Sequence, residues 1–104
     1  MNPPKPSNKR KVLCIVPIHP EGMKILASRP DLEIIVPENG EPETFKKYLG
    51  DVEAIVVRMS KIDRGVIAAA PKLKLISRHG VGVDNIDIAA ATEHDVIVAT
   101  VGLA

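Results

Sequence analysis

The chain has 104 residues, room for one small domain and not for two of ordinary size. Apolar side chains make up 45%, charged side chains 26%, and the formal net charge is +1, the balance of a globular domain. That balance argues against a nucleic-acid or membrane partner: there is no basic excess, Phe45 and Tyr48 are the only aromatics, and no apolar run nears the roughly 18 residues of a membrane span.

Residues 1–10, MNPPKPSNKR, hold three prolines and basic charge and are expected to form a disordered tail. They lack the apolar stretch of a signal peptide. The single cysteine, Cys14, permits neither an internal disulfide nor a zinc quartet, which points to a reduced, cytoplasmic setting.

From Lys11 onward, short apolar runs alternate with segments of helix chemistry. Residues 12–16 predict a first strand, rich in β-branched side chains and apolar enough to be buried on both faces. Pro20 can open a helix running to about Ser28, with Met23 and Leu26 inward and Pro30 as its stop. Residues 32–36 predict a second strand, in which Glu33 suits a sheet edge. Pro42 opens a second helix through Phe45 and Leu49, ended by Gly50. Residues 52–57 predict a third strand. Asp63 caps a third helix with Val66, Ile67 and Ala70 on one face and Pro71 as its end. Leu73, Leu75 and Ile76 mark a fourth strand. Asp87 caps a fourth helix, with Ile88, Ala90 and Ala91 inward, fading by His94. Val96-Ile97-Val98 marks a fifth strand.

Strand and helix in regular alternation require right-handed crossovers and a mainly parallel sheet. The predicted fold is α/β: a flavodoxin-like, doubly wound sheet of about five strands, order 2-1-3-4-5, with helices on both faces.

Ligands of such sheets bind at the carboxyl ends of the strands. Arg58, Met59 and Ser60 follow the third run, and Ser77-Arg78-His79-Gly80-Val81-Gly82 follows the fourth. Gly80 and Gly82 let the backbone approach a ligand, exposed N–H groups there can cradle an anion, and an arginine adds a forked charge-assisted contact. The same loop also reads as a tight strand-to-helix turn with capping Asp and Asn, and Arg58 alone as a solvated strand-end arginine. Gly80-x-Gly82 is not a dinucleotide fingerprint. Asn85 holds the place of the third glycine, the pattern follows the fourth strand, and no acidic residue stands about 20 positions on. His19 reads as turn or cap chemistry, and His79 and His94 lack the spaced partners of a metal site. Cys14 reads as an inert core residue, and Ser60 has no positioned base.

The stretch Leu73-Lys74-Leu75-Ile76-Ser77-Arg78-His79-Gly80-Val81-Gly82-Val83-Asp84-Asn85-Ile86-Asp87, then Ala89-Ala90-Ala91 and Val96-Ile97-Val98, resembles the D-isomer-specific 2-hydroxyacid dehydrogenase family. The phosphoglycerate dehydrogenase and hydroxypyruvate reductase branches look most similar. Val56-Val57-Arg58-Met59-Ser60 and the following helix are similar to the same family, and the resemblance covers residues 11–104. It departs from the family at Ala99-Thr100-Val101-Gly102, where an Asn and a Pro-Gly pair are common.

The resemblance implies a two-domain NAD(P)-dependent oxidoreductase that moves a hydride between the nicotinamide and a D-2-hydroxyacid, such as 3-phosphoglycerate or glycerate/hydroxypyruvate. Residues 11–98 would be its substrate-binding lid, and residues 99–104 a truncated hinge toward a missing nucleotide-binding domain. The catalytic and cofactor-binding residues would lie outside this chain, so the chain alone should bind no NAD or NADP and show no turnover. Substrate contacts would come from Arg58, Met59, Ser60, Arg78 and Gly80, with the N–H groups of Val81 and Gly82 holding the substrate carboxylate. Two arginines would favour a second anionic group such as phosphate. The intact enzyme would be a homodimer, and the chain itself, with one sheet face under-covered, would self-associate. The alternative is a stand-alone flavodoxin-like module that binds an anion or a protein without catalysis. A receiver-type phosphorylation module is disfavoured, because no acidic cluster follows the first strand.

Overall fold

Five of the apolar runs form strands: β1 (Arg10–Cys14), β2 (Leu32–Ile35), β3 (Ala54–Val57), β4 (Leu75–His79) and β5 (Ile97–Val101). They form one sheet, every pair parallel, in the order β2-β1-β3-β4-β5. This is the predicted α/β, flavodoxin-like order, here in a computed structural model that describes residues 10–15, 31–79 and 84–101. The connections are α1 (Pro42–Phe45), continued by a tighter 3₁₀ turn over Lys46–Tyr48, then α2 (Arg64–Ala68) and α3 (Ile88–Glu93). The helix expected over 20–28 lies outside the described residues, as do His19 and most of the expected tail.

Register sets which side chains share a face. Leu13 sits beside Ile35 and Ile55, Ile55 beside Ile76, and Ile76 beside Val98. Because side chains alternate along a strand, this row lies on one face of the sheet. Phe45 and Leu49, Val66 and Ile67, and Ala90 and Ala91 pack onto the same core. The small Ala90 and Ala91 let α3 lie close to the strands. Each fully buried Leu, Ile or Phe of this layer contributes about 1.5–3 kcal/mol relative to exposure. On the opposite face Val12, Cys14 and Val56 form a second, smaller buried cluster. Near β5 that face is open: Ile97 is 67% exposed and Ala99 is exposed.

Asp63 and Asp87 cap α2 and α3 as expected, accepting hydrogen bonds from Val66 N at 3.0 Å and Ala90 N at 2.9 Å. β2 stands at the sheet edge, which suits the charge of Glu33. Several boundaries differ from expectation. Arg10, assigned to the tail, begins β1, its N–H donating to Asp31 O at 3.0 Å. β4 continues through Ser77, Arg78 and His79, and β5 through Ala99, Thr100 and Val101. Arg78 pairs with Thr100 and His79 with Val101, so the neighbouring backbone extends the strand over the polar Ser77, Arg78 and His79. The boundary drawn after Val98 therefore falls within a strand. β3 starts at Ala54; Val52 is buried but precedes it. Ile88, expected inward, is 41% exposed, because it stands at the first position of α3, at the helix end, and not over the core as Ala90 and Ala91 do.

Candidate functional site

β3 delivers the chain to Arg58, Met59 and Ser60 at the carboxyl end of the sheet. Arg58 and Met59 are exposed, Met59 at 73%. Ser60 is turned inward: its Oγ donates to the Gly40 carbonyl at 2.8 Å, which ties this loop to the segment before α1. Among the described residues no base hydrogen-bonds that hydroxyl, which acts as an anchor. Next door on the sheet, Arg78 is opposite Val57 in the register, so the two arginines rise from neighbouring strands at the same end.

Asn85 joins these parts. Its side-chain Nδ2 donates to Ser60 O at 2.8 Å and, over a longer 3.4 Å, to Arg58 O. Its Oδ1 accepts from Arg78 Nε at 3.0 Å. Its backbone O accepts from Ile62 N at 2.8 Å, and Ile62 O accepts from Asp87 N at 2.9 Å. The loops after β3 and β4 are thus stitched together by main chain and side chain. Arg78 spends its Nε–H on Asn85, and its terminal amino groups bond no described residue. The Arg58 guanidinium likewise has no partner among the described residues.

The residue that sequence reasoning missed is Asn85. It was legible there only as a possible cap and as an occupant of the third glycine's place. Its being neither Gly nor apolar in a glycine loop was the available signal. Gly80, Val81 and Gly82 lie outside the described residues. Beside the stitched loops is a cavity of about 360 Å³ whose wall carries Asp63, Asp84 and Asp87 against Lys61. Two of those carboxylates already cap helices, and the charge is wrong for an anion. The arginine side of the loops carries the charge that would suit an anion.

Other chemistry is weak here. Cys14 is fully buried, and burial pushes its thiol up to about 11, so it is no thiolate nucleophile at neutral pH. His94 Nδ1 lies 2.9 Å from Ala90 O at the end of α3. Among the described residues no group of three His, Cys, Asp or Glu could hold a metal ion. No helix among them is long and apolar enough to cross a membrane. A dinucleotide does not fit these residues. Where the fingerprint needs a third glycine for close helix–strand approach, Asn85 places an amide engaged in three hydrogen bonds.

The chain has a five-stranded parallel sheet with two arginines at the carboxyl ends of adjacent strands, the end at which open α/β sheets generally take their ligands. The chain belongs to the D-isomer specific 2-hydroxyacid dehydrogenase family: residues 12–103 match the profile of that family's catalytic domain. It is 44% identical over 89 residues to the D-3-phosphoglycerate dehydrogenase of Methanocaldococcus jannaschii, covering 85% of this chain and 17% of the relative. It is 38% identical over 93 residues to the human D-3-phosphoglycerate dehydrogenase, covering 88% of this chain and again 17% of the relative. Among solved structures it is similar to the NAD⁺-bound 3-phosphoglycerate dehydrogenase of Entamoeba histolytica, with a TM-score of 0.78 and 28% identity over 88% of this chain and 32% of that one. The chain therefore spans about a sixth of the length of these curated relatives.

Proposed function

We propose that this chain is the substrate-binding lid of an NAD(P)-dependent oxidoreductase that transfers a hydride between the nicotinamide and C2 of a small D-2-hydroxy or 2-oxo acid. Its own residues bind and orient the acid. The N–H groups of Val81 and Gly82, with Gly80 giving room, hold the carboxylate, while Arg58, Met59 and Ser60 line the cleft. Arg78 adds a second cation, which suits a substrate with a further anionic group such as 3-phosphoglycerate over glycerate or hydroxypyruvate. The lid closes over the reacting carbon and excludes water. The nicotinamide, when bound elsewhere in the protein, supplies or accepts the hydride. In this reading the intact enzyme is a cytoplasmic homodimer, and this chain alone reduces no NAD.

The observation that carries the reading is the shared placement of Arg58 and Arg78 beside one stitched pair of loops. It is supported by the curated relatives named D-3-phosphoglycerate dehydrogenase. The test is titration of the ¹⁵N-labelled chain with 3-phosphoglycerate, hydroxypyruvate and glyoxylate. The expected result is saturable shifts near Arg58 and Arg78, tightest for 3-phosphoglycerate. Arg58→Gln and Arg78→Gln should each weaken binding by about tenfold or more, the scale of a lost hydrogen bond to a charged group. Preference for the unphosphorylated acids removes the second-anion assignment. No binding of any of the three removes the lid reading.

A further inference from the structure

We propose that Asn85 is a positioning residue for this site: it aims the Arg78 guanidinium and holds the loop after β3 in register with it. The inference rests on the lid reading and assigns a task to a residue that would not itself touch substrate.

Three features support it. First, the Asn85 amide is bonded on both sides. Its Oδ1 takes Arg78 Nε at 3.0 Å, and its Nδ2 gives to Ser60 O at 2.8 Å. Only a side chain carrying donor and acceptor can do both, so Asp or Leu would break one half or the whole. Second, the bond to Arg78 uses the Nε–H and not the terminal fork. An arginine fixed at Nε has its planar fork oriented, and the two terminal amino groups remain for a bidentate contact to a carboxylate or phosphate. Third, the carbonyls that Asn85 engages belong to Arg58 and Ser60. The loop bearing the other candidate cation is thus tied to the same amide. The far side of that loop is tied down by Ser60 Oγ on Gly40 O at 2.8 Å. The Arg78 side chain and the backbone that carries Arg58 thus acquire one fixed relationship, which lowers the ordering cost when an anion binds between the two arginines.

The linkage has a measurable signature. If Asn85 acts through Arg78, removing both should cost less than the sum of removing each, since residues in one hydrogen-bond network do not add independently. The experiment is a double-mutant cycle of Asn85→Ala and Arg78→Gln in the full chain. Its readouts are 3-phosphoglycerate affinity, the Arg78 Nε resonance and thermal denaturation. We expect Asn85→Ala to weaken binding by about tenfold while spectral dispersion is kept, to move the Arg78 Nε resonance without ligand, and to have a much smaller effect once Arg78 is Gln. Affinity equal to wild type in Asn85→Ala, or a fully additive cycle, overturns the assignment. Wild-type chain that binds no ligand overturns the lid reading, and the positioning role with it. A wild type that binds while the cycle is additive overturns the positioning role alone. Should Asn85→Ala fail to fold, Asn85→Asp replaces it. The carboxylate keeps the acceptor for Arg78 and loses both donors, so the Arg78 Nε–H should stay hydrogen-bonded while the Met59 and Lys61 amides, which share peptide groups with the released Arg58 and Ser60 carbonyls, shift. An Arg58–Ser60 loop unmoved by that change overturns the proposal.

Discussion

Ile62 and Ile86 form an isolated parallel bridge that fastens the loop after β3 to the loop after β4. Both side chains are buried, Ile62 completely, so the bridge is also a packing contact with the main core. Elements that carry ligand contacts are usually loose loops set on a rigid frame. Here the frame extends past the strand ends, and Arg58 and Asn85 leave from pinned backbone.

The first prediction follows from that contact. Ile62→Ala removes three buried carbons and leaves a cavity beneath both loops, at a cost of about 2–5 kcal/mol, and Ile62→Val costs about 0.5–1.5 kcal/mol. Urea denaturation measures both. Against a total stability of order 5–15 kcal/mol, the alanine variant should show a clearly lower midpoint. A midpoint unchanged in Ile62→Ala would mean that the bridge is not part of the cooperative structure.

A second prediction concerns the two aspartate caps. Asp63 and Asp87 each accept one otherwise orphaned N–H in the first turn of a short helix. Asp63→Ala and Asp87→Ala should each cost about 1 kcal/mol, within the 0.5–2 kcal/mol range of such caps. Asn at either position should retain most of the stability, since it also accepts from the N–H. Thermal melts of the four variants check this. Equal losses for Ala and Asn would assign the effect to charge and not to the cap.

The sheet order could be read from the chain because β-branched runs and helix chemistry alternate, and parallel crossovers leave few topologies. The caps were legible because Asp63 and Asp87 act on residues three positions away. Strand lengths were harder. Ser77, Arg78 and His79 look like loop, yet they are strand, because Arg78 and His79 find their partners in Thr100 and Val101. Pairing of that kind depends on another strand and leaves no local mark. Asn85 was opaque for the same reason: its carbonyl partners lie on a loop more than twenty residues earlier in the chain. Ile88 misled because its apolar character suited the inward stripe, while its place at the first position of α3 turns it to solvent.

Cys14 supports a prediction about pH. Its thiol is fully buried in β1, and burial lifts its pKa from 9.0 to about 11. The native chain therefore keeps this proton over a range in which the unfolded chain releases it. The contribution is fully present below about pH 9 and is lost as pH rises toward 11. Stability should fall with pH across that window, and the Cys14→Ala variant should fall less steeply. Paired denaturation curves at several pH values between the two limits measure the difference in slope. At pH 8 the native thiol should also resist alkylation until the chain is unfolded.

β5 offers a contrast between two isoleucines in adjacent strands. Ile76 of β4 is fully buried, whereas Ile97 of β5 is 67% exposed on the opposite face. Ile76→Ala should cost about 2–5 kcal/mol, while Ile97→Thr should change stability by no more than about 0.5 kcal/mol, because little apolar surface leaves the core with it. β5 is also the last strand of the sheet, and an exposed edge carrying an exposed isoleucine invites contact between chains. Ile97→Lys adds a charge that such an edge commonly carries, so concentration-dependent association should decrease with no loss of melting temperature. Sedimentation at several concentrations reads the first effect and a thermal melt the second. Association equal to wild type in Ile97→Lys would show that this edge makes no contact between chains.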